Sequence, residues 1–208
     1  DVLSGMAGSD GYRSMISIVI GSLLFSLGFT YRWKTVENLD RRLFFLLHNL
    51  FNQGPAASFF QDLWFFGRTI FLLVAAGWMT LLRWQPGLTA LLVFAVLAGI
   101  ERLLKLRIGR PRPFQVLPRV RMLQLRQPDD PSFPSGDCLR AWYLALVLPA
   151  FTDASPVFWA ASWLVAGLVA LGRIVLGVHF PTDVISGTGL GLLGGGITLW
   201  LWHLLQLT

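Results

Sequence analysis

Six long apolar segments constrain this sequence more than any other feature. A helix that crosses the hydrocarbon core of a bilayer needs about 20 mainly apolar residues, and this chain of 208 residues is 54% hydrophobic and only 13% charged. Almost no polar faces remain to meet water, which excludes a soluble bundle of amphipathic helices. We therefore expect six membrane-spanning helices over the ranges Ser14–Tyr31, Thr69–Trp84, Gly87–Leu104, Ser135–Phe151, Pro156–Leu176 and Asp183–Leu205.

The segment between the first two spans has a different pattern. In TVENLDRRLFFLLHNLFNQGPAASFFQDLWFFG, apolar residues recur at helical spacing beside the charged residues 40–42. This pattern is typical of an amphipathic helix that lies in the membrane interface, and Gly54-Pro55 indicate a turn after it. His48 falls on this segment, where an interfacial position is favoured over a catalytic role. The predicted fold is an all-α, six-transmembrane helical bundle with an interfacial amphipathic helix.

The length suits a single domain over residues 1–208. Its Gly- and Ser-containing start, residues 1–13, is expected to be flexible and is given no functional role. Cys138 is the only cysteine, so a disulfide within the chain is impossible. The glycine-rich stretch GLGLLGGG, residues 189–196, lies inside an apolar span and lacks the Lys-Ser/Thr ending of a phosphate-binding loop. Close packing of helices through small residues explains it better.

Three clusters of charged and polar residues lie at the ends of the spans: KLRIGRPRP, FPSGD and GRIVLGVHFPTD. With six spans, all three reach the same side of the membrane, where ionisable groups are costly and usually functional. The first cluster contains Lys105, Arg107, Arg110 and Arg112, and lysine and arginine can neutralise phosphate oxygens. Ser135 and Gly136 begin a helix whose free N–H groups attract anions. The clusters together predict a phosphate-binding site.

His179 and Asp183 add a possible nucleophile to this site. Their spacing allows the carboxylate to face one imidazole nitrogen while the other nitrogen faces the phosphate, the arrangement of an activated histidine. A metal site made of His179, Asp183 and Asp137 is the rival interpretation. The surrounding cations oppose a divalent ion, and no paired carboxylates of the magnesium type are present. We expect neither a metal nor another cofactor.

These motifs resemble those of the type 2 phosphatidic acid phosphatase superfamily, the membrane lipid phosphatases related to haloperoxidases and glucose-6-phosphatase. The family pattern is a Lys, six residues and Arg-Pro; then Pro-Ser-Gly-His; then Ser-Arg, five residues, His, three residues and Asp. The corresponding residues here are Lys105 with Arg112-Pro113, Pro134-Ser135-Gly136-Asp137, and Gly172-Arg173 with His179 and Asp183.

The resemblance implies a role for each matched residue. His179 would attack phosphorus and form a phosphohistidine, with Asp183 orienting the imidazole and no metal required. The residues that would hold the phosphoryl oxygens are Lys105, Arg112, Ser135, Gly136 and Arg173.

Two positions depart from the family pattern. Gly172 replaces a serine, and Asp137 replaces the histidine that donates a proton to the leaving group in the family. Three explanations for Asp137 stay open. It is a protonated acid; or the substrate is a diphosphate, whose phosphate leaving group needs less protonation; or catalysis has been lost and the protein only binds lipid phosphates.

The predicted function is a metal-independent membrane lipid phosphatase or phosphotransferase, acting on a lipid monophosphate or diphosphate. An isoprenoid diphosphate such as undecaprenyl diphosphate is favoured, and the alternative is a non-catalytic lipid-phosphate binding or transport protein on the same fold. The expected partners are the lipid substrate and membrane lipids, not nucleic acid, and the oligomeric state is left open.

The expected location is the bacterial inner membrane, with the site facing the periplasm or the outside, as the resemblance implies. The charge pattern points the other way. Of the 17 Lys and Arg residues, all except Arg13 and Arg83 fall on the side of the motifs, which the positive-inside rule would place in the cytoplasm. Arg119, Arg121 and Arg126 belong to this excess and can attract anionic head groups.

Overall fold

The computed structural model describes residues 9–207, so the predicted flexibility of residues 1–13 lies partly outside the described range and stays a prediction. The described residues form nine α-helices, two short 3-10 helices and no strands. The α-helices are α1 (Ser9–Gly28), α2 (Lys34–Phe51), α3 (Gly54–Leu63), α4 (Thr69–Leu82), α5 (Trp84–Ile108), α6 (Pro113–Val116), α7 (Gly136–Phe151), α8 (Pro156–Val175) and α9 (Pro181–Leu204).

Four helical segments of the described chain are long and apolar enough to cross a membrane: Gly11–Arg32, Trp84–Val116, Pro156–Val175 and Pro181–Leu204. A fifth span results if Gly54–Gly67 and Thr69–Leu82, which meet at a bend of 43°, count as one. Helix α7 has 16 residues, fewer than the roughly 20 that span the hydrocarbon core unaided. The fold is therefore an all-α transmembrane bundle, and the count of six spans stays a prediction.

Glycines in the middle of α9 allow neighbouring helices to approach its backbone. A Cβ atom on Gly189 would lie 2.7 Å from the carbonyl oxygen of Gly21 in α1, and one on Gly196 would lie 2.9 Å from the carbonyl oxygen of Ser14. A Cβ on Gly191 would overlap backbone atoms of α7 in the same way. The prediction that this stretch serves helix packing is confirmed. Helix α9 thus runs through the centre of the bundle, and its first turn lies at the candidate active site.

Helix α2 has one buried face, formed by Asp40, Phe44 and His48 at successive turns. His48 is 1% exposed, its ring stacks on Phe44, and its Nδ1 lies 2.8 Å from the carbonyl oxygen of Val175. The expectation that His48 is an interfacial residue is wrong, because its face of the helix packs against the bundle. The expected break is present, since α2 ends at Phe51 and α3 begins at Gly54, whose φ is 58°.

Candidate active site

The three sequence clusters surround one polar cavity of about 440 Å³ at the ends of α5, α7 and α8. Six of the predicted residues line it: Lys105, Arg112, Gly136, Asp137, Arg173 and His179. Ser135 and Asp183 are fully buried beside it, with exposures of 0%, and the Ser135 N–H donates to the carbonyl oxygen of Asp183 at 3.0 Å. All the predicted site residues therefore lie in one region.

His179 lies on the tight connection between α8 and α9 and is 2% exposed. Its Nε2 is 3.2 Å from Nη1 of Arg112. Because a guanidinium can only donate, Nε2 must be the acceptor, which places the ring proton on Nδ1. Nδ1 is 3.7 Å from Oδ2 of Asp183, longer than a hydrogen bond. The imidazole thus directs a lone pair towards Arg112 and the cavity and its N–H towards Asp183.

The surroundings of His179 favour the neutral ring. Burial lowers the pKa of His179 well below its usual value of 6.5, and the positive charges of Arg112, Arg173 and Lys105 lower it further. Only the unprotonated nitrogen can act as a nucleophile. The environment therefore keeps His179 in its nucleophilic form at neutral pH.

Asp183 is fixed by two further donors. Its Oδ1 accepts a 2.5 Å hydrogen bond from Arg110, and its Oδ2 accepts a 2.9 Å hydrogen bond from the backbone N–H of Phe180. Arg110 also donates to Asp40 of α2 at 2.6 Å. The guanidinium lies 4.2 Å and 4.3 Å from the ring centroids of Tyr31 and Phe180. Stacked aromatic rings and two carboxylates leave this arginine a single geometry.

Asp40 connects helix α2 to the start of α9. Its two carboxylate oxygens accept from the backbone N–H of Thr182 at 2.9 Å and from the Thr182 hydroxyl at 2.7 Å. The free N–H groups in the first turn of a helix attract a carboxylate in this way. No sequence pattern indicated this role for Asp40, because the adjacent Arg41 and Arg42 suggested a solvated face.

Lys105 and Arg112 share one carboxylate, that of Asp130. Lys105 Nζ is 2.5 Å from Oδ2 of Asp130, and Arg112 Nη2 is 2.8 Å from Oδ1. Burial raises the pKa of Asp130, but the charges and hydrogen bonds of Lys105 and Arg112 outweigh it, and the pKa falls below its usual value. Sequence reasoning missed Asp130. The sequence signal for Asp130 was the acidic pair in QPDDP, which lies between the clusters KLRIGRPRP and FPSGD.

Asp137 occupies the other side of the cavity as an ion-pair partner. Its carboxylate is 2.7 Å from Arg140 and 3.0 Å from Arg173, and Arg140 also donates to the Gly67 carbonyl oxygen at 2.7 Å. Two guanidinium groups stabilise the carboxylate form of Asp137. Asp137, His179 and Asp183 do not gather as metal ligands: within residues 9–207 no three His, Cys, Asp or Glu side chains are grouped to hold a metal ion.

Arg173 has unused hydrogen-bonding capacity. It is 2% exposed, and its Nη2 contacts Asp137 and donates to Gln124. Its Nε and Nη1 are buried without a hydrogen-bond partner among the described residues. Buried donors are rarely left unpaired, so these two nitrogens are suited to receive the oxygens of a bound anion.

Neighbouring side chains leave no room for a larger residue at Gly136 of the second motif and little room at Gly172 of the third. Gly136 begins α7, where a Cβ would overlap the carboxylate of Glu101, which itself pairs with Lys105 at 3.3 Å. A Cβ on Gly172 would lie 3.0 Å from the ring of Phe60. The departure from serine at position 172 is therefore accompanied by an aromatic side chain packed against that position.

The helical bundle, with its apolar spans and its polar cavity lined by cations, defines an integral membrane protein. A model of the PAP2 superfamily matches residues 86–206, more than half of the sequence. The chain belongs to the PAP2 superfamily.

The chain is similar to proteins of several bacteria and of one Sulfolobus species. The chain is 32% identical over 132 residues to phosphatidylglycerophosphatase B of Bacillus subtilis, covering 60% of this chain and 62% of that protein. It is 30% identical over 105 residues to an undecaprenyl-diphosphatase of Sulfolobus acidocaldarius, covering 50% of each. The match thus spans less than two thirds of either relative. The crystal structure of Aquifex aeolicus LpxE superposes with a TM-score of 0.69 at 29% identity, covering 78% of this chain and 95% of that one.

Proposed function

We propose that this protein is a membrane lipid phosphatase in which His179 is the nucleophile. One observation carries the proposal: the unprotonated Nε2 of a buried histidine lies at a cavity that also contains a buried arginine with two unpartnered nitrogens. A phosphoryl group bound to Arg173 and Arg112 would meet Nε2 directly. The family membership supports the same reaction class.

The reaction has two steps. Nε2 of His179 forms a bond to phosphorus while the bond from phosphorus to the leaving-group oxygen breaks, and the lipid product departs. Asp183, whose Oδ2 lies 3.7 Å from Nδ1, faces the Nδ1 proton and stabilises the positive charge that the ring acquires. Water then attacks phosphorus, the N–P bond breaks and inorganic phosphate is released. If a hydroxyl of another molecule replaces water, the same site is a phosphotransferase.

Cationic side chains supply the charge that the transferred phosphoryl group needs. Lys105, Arg112 and Arg173 can contact its oxygens, and the N–H of Gly136, at the start of α7, adds the partial positive charge of a helix terminus. The N–H of Ser135 is already paired with the carbonyl oxygen of Asp183. A divalent metal is unnecessary in this arrangement, so we expect activity to persist in EDTA.

The ion pairs of Asp137 favour a diphosphate substrate. A carboxylate bound to Arg140 and Arg173 is a poor proton donor. An alkoxide leaving group gains much from a general acid, whereas a phosphate leaving group departs as a stable anion. An isoprenoid diphosphate such as undecaprenyl diphosphate fits this requirement, and one relative is named undecaprenyl-diphosphatase. A cavity in which Asp137 does not donate a proton equally fits a non-catalytic lipid-phosphate binder. Measurements of turnover distinguish such a binder from a phosphatase.

The cavity is proposed to face the periplasm or the outside of a bacterial inner membrane. The only cysteine, Cys138, is buried, which gives a low background for labelling. We expect Gln127→Cys, in the exposed loop before α7, to react with an impermeant maleimide in intact cells. Gln206→Cys, at the other end of α9, should react only after the membrane is opened. The reverse pattern would place the site in the cytoplasm.

The substrate class is tested with purified protein, EDTA, and a lipid monophosphate and diphosphate on the same isoprenoid chain. Phosphate release should be faster from the diphosphate, and His179→Ala should abolish it. His203→Ala, at the far end of α9, is the matched control and should behave as the wild type. Binding without phosphate release from either lipid would identify a binding protein instead.

A further inference from the structure

Asp130 occupies the place where a substrate phosphate is expected to bind. Its carboxylate accepts from Lys105 and Arg112 together, at 2.5 Å and 2.8 Å. A phosphoryl oxygen requires the same two donors, so ligand and side chain cannot both use them fully. Asp130 therefore competes with the substrate for these cations.

The backbone around Asp130 is anchored by hydrogen bonds that do not involve its carboxylate. Arg112 Nε donates to the carbonyl oxygen of Asp130 at 2.8 Å. The Ser132 N–H donates to the carbonyl oxygen of Arg110 at 2.8 Å, and the Ser132 hydroxyl donates to that of Pro111 at 3.1 Å. The Asp130 side chain is 36% exposed. Rotation of this side chain is enough to release Lys105 and Arg112.

The other carboxylate at the cavity is held more firmly. The Asp137 side chain is 14% exposed, lies in the first turn of α7 and contacts two arginines that are themselves 14% and 2% exposed. Asp130 is thus the carboxylate that an incoming ligand can displace most easily.

The charge of a ligand decides whether it can displace Asp130. A terminal phosphate carries about −1.5 to −2 near neutral pH, so it replaces a single carboxylate charge with a larger one. A phosphodiester carries only one negative charge and gains nothing in charge over the carboxylate it displaces. The surrounding membrane consists largely of phosphodiester lipids, which would otherwise fill a cationic cavity.

We propose that Asp130 is a displaceable counter-ion that competes with every phosphate for Lys105 and Arg112. It weakens the binding of all anions, so that a singly charged phosphodiester of a membrane lipid does not fill the cavity, whereas a terminal, doubly charged phosphate still binds. This inference deepens the proposed function and rests on it for the identity of the substrate. It concerns binding, so it can be tested without turnover.

The test measures binding of two soluble probes, ethyl phosphate and diethyl phosphate, by calorimetry at pH 8 on purified protein in detergent. The wild type should bind ethyl phosphate far better than diethyl phosphate. Asp130→Asn keeps the shape and removes the competing charge, so both probes should bind at least about tenfold more tightly and diethyl phosphate should become easier to detect. Asp129 also lines the cavity but forms no ion pair within residues 9–207, so Asp129→Asn should change both dissociation constants far less.

Asp130→Ser, checked by thermal melting together with the other variants, serves if the asparagine variant does not fold. Unchanged dissociation constants in a folded Asp130 variant, or an equal change in Asp129→Asn, would overturn the proposal. Turnover with unchanged dissociation constants would refute this inference alone. Tighter binding to the Asp130 variant of a protein that never releases phosphate would refute the phosphatase and leave the competition by Asp130 standing.

Discussion

Arg110 donates a 2.5 Å hydrogen bond to Asp183, the carboxylate that faces the candidate nucleophile. The same guanidinium donates to Asp40, so it connects helix α2 with the first turn of α9. Arg110 does not line the cavity of His179. It is a positioning residue, acting through Asp183.

Arg110→Lys should therefore lower kcat more than it raises KM. Lysine keeps the positive charge but cannot bridge Asp40 and Asp183 with a planar fork, and misplacement of a catalytic group by about 1 Å can cost about 10²-fold. Steady-state kinetics on the lipid diphosphate give both constants. Arg107→Lys, an exposed position in the last turn of α5, is the control. An equal loss of kcat in both variants, or a change in KM alone in Arg110→Lys, would contradict the positioning role of Arg110.

The protonation state of His179 leads to a second prediction. Its pKa lies below 6.5 because of burial and of the charges of Arg112, Arg173 and Lys105. A lowered pKa means that the neutral ring persists as the pH falls, and protonation occurs only at a more acidic pH. We expect ¹⁵N NMR of labelled histidine, in the ligand-free protein, to show His179 still neutral and protonated on Nδ1 when the pH is below 6.5, the usual pKa of histidine.

The His179 signal is assigned by its absence from the spectrum of His179→Ala. An imidazolium already formed at pH 6.5, or a ring protonated on Nε2, would be inconsistent with the geometry at Arg112.

Replacing Asp137 with the histidine of the family pattern is the third prediction. Asp137→His offers a proton donor, so it should raise turnover of the monophosphate more than that of the diphosphate, by up to about 10² in the ratio. Asp137→Asn removes the charge without adding an acid and should not raise the ratio. If the wild type already prefers the monophosphate and Asp137→Asn loses that preference, Asp137 is the general acid.

The glycines of α9 give a prediction about stability. Gly189→Ala would place a Cβ 2.7 Å from the Gly21 carbonyl oxygen and should lower the free energy of unfolding by about 1–3 kcal/mol, the usual cost of overpacking. Gly99→Ala, in α5, meets no atom within 4 Å and should be neutral or slightly stabilising, because alanine favours a helix. Thermal melting in detergent compares them. Similar melting temperatures for both variants would argue against close packing of α1 and α9.

The sequence predicted those parts of the fold that depend on local composition. The apolar spans around α1, α5, α8 and α9 follow from hydropathy, and the break between α2 and α3 follows from Gly54-Pro55. The glycines of α9 were assigned to helix packing correctly. Helix α7 was expected to span the membrane, but its 16 residues leave that prediction open.

The site residues were predicted from motifs, whereas their partners were not. Asp40 and Thr182 are 142 residues apart, and no local pattern indicates that one caps the other. Asp130 lies in a loop whose path depends on contacts with Arg110, Pro111 and Arg112. Such polar contacts are set by the tertiary fold, so hydropathy and spacing cannot show them.

Direct detection of a phosphohistidine tests the central claim. Purified protein is mixed with lipid diphosphate carrying ³²P in its terminal phosphate, quenched in base within the first turnover, and digested to locate the label. The account predicts an acid-labile label on the peptide that contains His179, present in His203→Ala and absent from folded His179→Ala. Turnover without any labelled histidine, or a label that persists in His179→Ala, would contradict it.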